Sequence, residues 1–256
     1  MTTKMNHGLS EAQLQQYDRD GFIVLNDWFD EATVQAFSQA ADELLDKVGP
    51  IVYGNPRIQV DQIGETTRIR QVYPVIDLSG TFARLAQDAR MLDPFRSLFD
   101  DTPVLFEDKL NYKYPSGGSP FPMHQDYSYW QDYSPQLTTA LIYLDRATEE
   151  NGCLEVVPGW HKKGLLPIEK IKVGLSVDDY VSPKVLDPSL TLMVPGSAGT
   201  MILFTCFTPH SSAPNLSNYP RRAMILTYNP AQAGSGYEAT SGAHLKKVQA
   251  WLSERK

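Results

Sequence analysis

Apolar and polar positions divide this chain into a helical front and a strand-rich remainder. Ser10-Glu11-Ala12-Gln13 has the form of a capping box, so a short helix opens there and runs to about Arg19. Gly21 stops it, and Phe22-Ile23-Val24-Leu25 is an apolar run of strand length. Asp30 caps a second helix, in which Val34, Phe37, Ala41, Leu44 and Leu45 recur at helical spacing until Gly49-Pro50. Phe82, Leu85, Ala86 and Ala89 form another such stripe, and Asp93-Pro94 predicts the opening of a third helix. Between these stripes lie Gln59, Asp61, Arg68, Arg70 and Tyr73, a polar segment that reads either as a solvated hairpin or as a flap over an opening.

From Val104 the period changes. Leu105 to Tyr114, Thr138 to Leu144, Cys153 to Val157, Gly199 to Phe204 and Ala223 to Tyr228 read as strands. Turns fall at Ser116-Gly117-Gly118, Asn151-Gly152, Pro158-Gly159 and Pro195-Gly196. Strands joined by short turns predict a sandwich or barrel rather than a parallel α/β sheet. Glu169 to Leu190 has no clear period and reads as an insertion or lid loop. Ala243 to Lys256 predicts a closing helix with Leu245, Val248 and Leu252 inward. With no repeat, low-complexity stretch or linker, residues 1–256 are expected to form one domain, with a helix-rich front over about 1–100 and a β core over about 104–230.

Composition narrows the function. Hydrophobic residues at 42% can fill a core, and a net charge of −7 offers nucleic acid no basic footprint, so a small-molecule partner is favoured. Cys153 and Cys206 both sit in apolar runs and read as small buried hydrophobes in a reducing compartment. No apolar stretch reaches membrane-span length, and Met1 to Ser10 is polar. These readings predict a cytoplasmic protein without membrane or nucleic-acid partners, as a monomer or homodimer.

The chemistry concentrates at His124-Gln125-Asp126, His210 and Arg221. Two positions apart on an extended strand, His124 and Asp126 point to one face. His210, arriving from a distant strand end behind Pro209, completes two imidazoles and one carboxylate. That facial set leaves positions open and suits non-heme Fe(II) holding a cosubstrate and O2. Arg221, eleven residues after His210, supplies a planar fork for a carboxylate, and 2-oxoglutarate carries one. His7, His161 and His244 lack such company and read as ordinary structural histidines.

His210-Ser211-Ser212-Ala213-Pro214-Asn215, continued to Arg221, resembles the second half of the phytanoyl-CoA dioxygenase signature, with serine two, asparagine five and arginine eleven residues past the histidine. Asn151-Gly152-Cys153-Leu154, continued to Val156-Val157-Pro158-Gly159, and Asp20-Gly21-Phe22-Ile23-Val24-Leu25 resemble further family segments in the expected order. Trp160 departs from the serine found in many members. The likeness leans to the bacterial branch of ectoine-hydroxylase-like and natural-product tailoring enzymes. It implies a mainly β fold with a double-stranded β-helix (jelly-roll, cupin-like) core and flanking N-terminal helices. It also implies iron on His124, Asp126 and His210, with 2-oxoglutarate chelating it through its C1 carboxylate and C2 carbonyl. Arg221 and Ser212 would then take the C5 carboxylate, with Asn111 and Lys113 as further cosubstrate contacts. Asn111 and Lys113 share one strand face with Lys109.

A carboxylate at Asp126, where halogenases of this general fold carry a small residue, favours hydroxylation, with release of succinate and CO2. Desaturation, epoxidation and cyclisation stay open. Tyr127, Trp130, Trp160, Phe207, Arg70 and Tyr73 are candidate substrate contacts, since aromatic rings supply contact area with a polar tip. The acidic chain fits a small polar metabolite or natural-product intermediate better than a coenzyme A thioester. Two other readings compete. A zinc hydrolase or isomerase on a cupin-like barrel uses the same three ligands but leaves Arg221 without a purpose; a silent binding module would keep the barrel without turnover.

Overall fold

Local signals set the helical front. The computed structural model describes residues 8–255. In α1 (Glu11–Asp20) the Ser10 hydroxyl accepts from Gln13 N–H, Gln13 Oε1 accepts from Ser10 N–H at 2.8 Å, and Gly21 ends the helix at φ 83°. Strand β1 (Phe22–Leu25) follows, then α2 (Glu31–Leu44), capped by Asp30 accepting from Thr33 N–H at 2.8 Å. Two strands come next, β2 (Ile58–Ile63) and β3 (Thr66–Val72), followed by α3 (Gly80–Leu85) and α4 (Ala89–Phe99). The β region comprises β4 (Pro103–Lys113), β5 (Phe121–His124), β6 (Thr138–Tyr143), β7 (Leu154–Val156), β8 (Glu169–Val173), β9 (Ser176–Tyr180), β10 (Leu192–Val194), β11 (Met201–Thr205), β12 (His210–Ser212) and β13 (Arg221–Pro230). Helix α5 (Ser241–Ser253) closes the order, with Val248 buried.

Two antiparallel sheets face each other. The larger has the order β1-β11-β6-β13-β4-β3-β2 and the smaller β10-β7-β12-β5. Alternation sorts the larger sheet's side chains. Leu141, Tyr143, Phe204 and Ile225 meet Leu154, Val156 and Val194 of the smaller sheet, while Ile142, Leu203, Met224 and Leu226 pack with Phe37, Phe82 and Phe95 of the helices. Covered on both faces, β6 is buried along its whole length. Each of those phenylalanines contributes about 2 kcal/mol through burial. The hydroxyls of Tyr112 and Tyr228 donate to Ala41 and Ala86 carbonyls at 2.7 Å each, tying helices to sheet. The architecture is mainly β with flanking helices, the jelly-roll double-stranded β-helix expected from the sequence.

Three expectations change. Asp93-Pro94 does not open a helix: α4 starts at Ala89, capped by Asp88, with Pro94 inside it. Proline lacks an N–H for the carbonyl four residues back, and Trp28 Nε1 donates to that Arg90 carbonyl at 2.9 Å instead. The polar segment after α2 is neither loose hairpin nor free flap, because β2 and β3 extend the larger sheet through β3–β4 pairing. The stretch read as an irregular lid contains the β8–β9 hairpin, whose register sets Lys170 opposite Asp179. That pair is ionic and no cross-strand pair of the hairpin joins two aliphatic residues, so a hydrophobic period cannot reveal it. Among the described residues no helix is long and apolar enough to cross a membrane.

Trp28→Phe removes the donor that covers the Pro94 gap and is expected to lower unfolding free energy by about 1–3 kcal/mol; unchanged urea midpoint and slope would show that water replaces it. Asp108 supplies a pH dependence. Its Oδ2 accepts from Val75 and Ile76 N–H at 2.6 and 2.7 Å, yet burial raises its pKa to about 6. The unfolded carboxyl titrates at about 3.9, so the native state holds the extra proton between these values and this residue's contribution to stability falls as pH rises through that window. Asp108→Asn should therefore flatten the fall by up to about 3 kcal/mol in urea unfolding compared at pH 4 and pH 7.

Candidate metal centre

Strand pairing, not sequence distance, assembles the centre. In the β5–β12 register His210 lies directly opposite His124. Gln125 stays extended at φ −119° and ψ 131°, and Asp126 begins a 3₁₀ turn, so His124 and Asp126 share a side as the spacing predicts. Gln125 faces the other way with its amide fully used. Nε2 donates to the Gly164 and Phe207 carbonyls at 2.9 and 2.6 Å, and Oε1 accepts from Leu166 N–H at 2.7 Å. This buried anchor fixes the strand that carries both ligands.

Each imidazole is oriented through its Nδ1. His124 Nδ1 lies 2.7 Å from the Pro122 carbonyl and His210 Nδ1 lies 2.9 Å from the Thr208 carbonyl. A carbonyl accepts only, so we assign the proton to Nδ1 in both rings, leaving each Nε2 lone pair free. Both Nε2 atoms lie 3.8 Å from Asp126 Oδ1, too far for hydrogen bonds. The three donor atoms fall within 4.8 Å of one another. Asp126 Oδ2 accepts from Thr139 Oγ1 at 3.0 Å, and Thr227 Oγ1 lies 3.0 Å beyond. Burial, reinforced by His210, depresses the His124 pKa to about 3, keeping that ring neutral. Burial raises the Asp126 pKa, but His210, Lys109 and His124 outweigh it and the net shift is downward. Two imidazoles and one carboxylate, each turning one atom toward a common point, fit a divalent iron.

A cavity of about 520 Å³ runs between the sheets from this trio to Arg221. Arg221 opens β13, and its Nε and Nη2 donate to the Gly152 carbonyl at 3.0 and 2.6 Å, with Nη2 also 2.6 Å from Ser212 Oγ. Gly152 sits at φ 77°, and a Cβ there would lie 2.2 Å from the Ala213 carbonyl oxygen, so only glycine delivers this acceptor. Among the described residues Arg221 has no carboxylate partner, its Nη1 makes no hydrogen bond, and burial lowers its pKa. A buried cation without a counterion is unfavourable, and a ligand carboxylate answers that need.

The remaining cosubstrate candidates separate. Asn111 lines the cavity beside Ser212, and its Oδ1 accepts from Gln71 Nε2 at 2.7 Å. Lys113 does not reach the cavity; its Nζ donates to the Ser212 carbonyl at 3.1 Å and to the Ala213 carbonyl. Burial and then Arg221 press its pKa well below the usual lysine value. Alternation carries Lys113 to the right face, but the loop after β12 covers it there.

On the other side of the trio lies a second cavity of about 870 Å³, walled by Gln59, Tyr73, Glu107, Lys109, Tyr129 and Trp130 among others. Of the expected substrate contacts, Tyr73 and Trp130 reach this wall, and Tyr127, Trp160, Phe207 and Arg70 line neither cavity. The Tyr127 and Phe207 rings pack against each other at a tilt, 4.5 Å between centroids, and Trp160 lies 3.3 Å beneath the Lys163 ammonium in a separate cluster. Arg70 is spent on structure. Its guanidinium bonds Asp178 of β9 at 3.3 Å and the Pro120 carbonyl at 2.8 Å, and lies 4.2 Å from the Phe121 ring. With β9 read as loop, that partner was invisible in the sequence. His161 and His244 bond the Asp18 and Pro56 carbonyls away from the trio, and His7 lies outside the described residues. Cys153 and Cys206 are buried and free.

Sequence reasoning missed Thr139, whose only signal is a hydroxyl pair, Thr138-Thr139, opening an otherwise apolar strand. Thr139→Val keeps the shape but removes the donor to Asp126. Iron affinity should fall about tenfold in anaerobic titration, and an unaltered Kd would refute this orienting role.

Comparison with known proteins points one way. The sequence model of the phytanoyl-CoA dioxygenase family (PhyH) matches residues 17–223. Methylphosphonate hydroxylase of Gimesia maris is 29% identical over 230 residues, covering 90% of this chain and 84% of that protein. Ectoine dioxygenase of Sphingopyxis alaskensis is 32% identical over 238 residues, covering 86% and 76%. Among solved structures, S. alaskensis EctD with 2-oxoglutarate and 5-hydroxyectoine superposes with a TM-score of 0.73 at 28% identity, over 91% of this chain and 80% of that one. Its iron-bound form gives 0.71 at 27%, over 91% and 80%.

Proposed function

This chain belongs to the phytanoyl-CoA dioxygenase family, and from that premise we propose how it works as an iron- and 2-oxoglutarate-dependent dioxygenase that hydroxylates a C–H bond of a small polar metabolite or natural-product intermediate. His124, Asp126 and His210 hold the metal through Nε2, Oδ1 and Nε2, the atoms left free by their other hydrogen bonds. When bound, iron supplies the redox chemistry that couples decarboxylation of 2-oxoglutarate, giving succinate and CO2, to oxidation of the substrate by O2.

The protein's own residues bind, orient and exclude water. Arg221 and Ser212 take the distal carboxylate of 2-oxoglutarate, Arg221 through its uncommitted Nη1. Asn111 contributes a side-chain amide along the same cavity. Leu141, Phe204 and Ile225 make the walls apolar, which strengthens each polar contact inside. Asp126 fills the position that a halide would need, so hydroxyl transfer is favoured. The reading takes the protein as a single-domain cytoplasmic enzyme, a monomer or homodimer, whose partner is a small molecule.

One observation carries the proposal: a buried arginine that has no carboxylate partner among the described residues stands in the same cavity as three converging metal-ligand candidates. A hydrolytic zinc site has no use for that cation. Anaerobic Fe(II) and 2-oxoglutarate should together give a visible charge-transfer band, and its absence would defeat the reading. Alanine at His124, Asp126 or His210 should abolish iron retention and succinate release. Arg221→Ala should retain iron yet raise the KM for 2-oxoglutarate at least about 30-fold, as expected for loss of a buried charge-pair partner; a wild-type KM would remove Arg221 from its assigned place.

A further inference from the structure

Asn111 reaches the cosubstrate cavity as the last of three amides in a cross-strand row. The β2–β3 register sets Gln59 beside Gln71, and the β3–β4 register sets Gln71 beside Asn111. Gln59 lines only the outer cavity, Gln71 lines both, and Asn111 lines only the cosubstrate cavity. Among the described residues a single hydrogen bond joins these side chains: Gln71 Nε2 donates to Asn111 Oδ1 at 2.7 Å. Asn111 is buried, and its Nδ2 donates to none of the described residues. The polar groups around it are engaged elsewhere. Ser212 Oγ donates to the Gly152 carbonyl at 2.8 Å, and Lys109 is bound to Glu107 Oε2 at 2.7 Å with its Nζ 5.6 Å over the Trp130 ring. Gln71 is thus the one described side chain that holds the Asn111 amide.

A side-chain amide donates at one end and accepts at the other, and turning it over exchanges the two with little change of shape. In this cavity the choice has consequences. With Oδ1 spent on Gln71, Asn111 gives its N–H groups to the cavity. Turned over, it would give a carbonyl oxygen instead. The cosubstrate brings two carboxylates and a ketone, which only accept, so the first polarity attracts it and the second repels it. Gln71 can turn over as well, and the pair keeps its bond in either sense. The polarity that Gln71 adopts is therefore passed on to the cosubstrate side of Asn111.

We propose that Gln71 is a positioning residue for 2-oxoglutarate, acting through Asn111 by holding its amide with the N–H groups toward the cosubstrate. The proposal rests on the dioxygenase reading of the neighbouring metal centre. It carries a sign that a space-filling role lacks. Gln71→Glu keeps the shape of the side chain, but an ionised carboxylate only accepts. It would draw Asn111 Nδ2 to itself and turn Oδ1 on the cosubstrate. Gln71→Leu neither holds the amide nor reverses it.

The test is anaerobic titration of Fe(II)-loaded protein with 2-oxoglutarate at about pH 8, where the introduced carboxyl is ionised, read by the charge-transfer band and by calorimetry. Gln71→Leu should weaken binding by about threefold and Gln71→Glu by at least about tenfold, the range spanned by a lost hydrogen bond and a reversed one. Added negative charge alone also weakens an anion's binding, so Gln71→Glu is measured again together with Asn111→Leu. There its effect should shrink to less than about threefold, because no amide remains to be turned. A wild-type protein that forms no band defeats the dioxygenase reading, and the role of Gln71 falls with it. With the band formed, three results overturn the proposal: wild-type affinity in Gln71→Glu, weaker binding by Gln71→Leu than by Gln71→Glu, or an undiminished Gln71→Glu loss beside Asn111→Leu. Should Gln71→Glu or the double variant fail to fold, NMR of Zn(II)-loaded protein with isotope-labelled asparagine decides. The Asn111 side-chain N–H signals should move on addition of 2-oxoglutarate and move less in Gln71→Leu, and equal movement in both overturns the assignment.

Discussion

The pairing of β12 with β5 is the constraint on which the rest of the centre depends. Its register brings two histidines that are far apart in the chain to directly opposed positions, and the side-chain direction follows from the pleat. A one-residue slip would turn either ring to the opposite face. The structure guards this register from behind. Gln125 uses its whole amide on the Gly164, Leu166 and Phe207 backbone, bridging the β5 end to the turn that precedes His210. Thr208 and Pro122 carbonyls then fix the ring tautomers, and Thr139 fixes the carboxylate. The three converging atoms are therefore placed by hydrogen bonds to their other edges, which limits the reorganisation a metal would demand.

Beyond the ligands, the site stores unfavourable electrostatics that a ligand can relieve. Arg221 and Lys113 are cross-strand neighbours on β13 and β4, both buried cations and both shifted toward neutrality by burial. Lys113 is satisfied by backbone carbonyls, whereas Arg221 keeps Nη1 uncommitted toward the cavity side of the fold. Native proteins concentrate such tension at functional positions and offset it with well-packed surroundings. Here the offset comes from the doubly covered larger sheet and from the tyrosine hydroxyls that bind its helices.

The outer cavity owes its shape to elements that carry little apolar signal. Arg70 joins β3, β9 and the segment before β5 at one buried guanidinium, so the β8–β9 hairpin is held over the wall by charge rather than by a core of its own. This explains why aromatic residues that crowd the sequence around His124 divide so unevenly. Trp130 and Tyr129 meet the cavity, while Tyr127 turns back to pack at a tilt against Phe207 in the cluster around Phe106 and Cys206.

Much of this was legible in the residues alone. Helix caps at Ser10 and Asp30, the strands from Val104 onward, the trio His124, Asp126 and His210, and the arginine eleven positions further on all rest on local period, local chemistry or fixed spacing. The errors share a different origin. Pro94 lies inside a helix because a tryptophan far away supplies the missing donor, and Lys113 leaves the cavity because a loop beyond β12 closes over it. Arg70 and Thr139 acquire roles from partners 108 and 13 positions away. By itself the sequence determined the elements and the inventory of reactive side chains, since both depend on neighbours along the chain. Tertiary structure decided which of those side chains share a cavity and which are consumed as braces, because hydrogen bonds and ion pairs saturate with whatever partner the fold brings within about 3 Å.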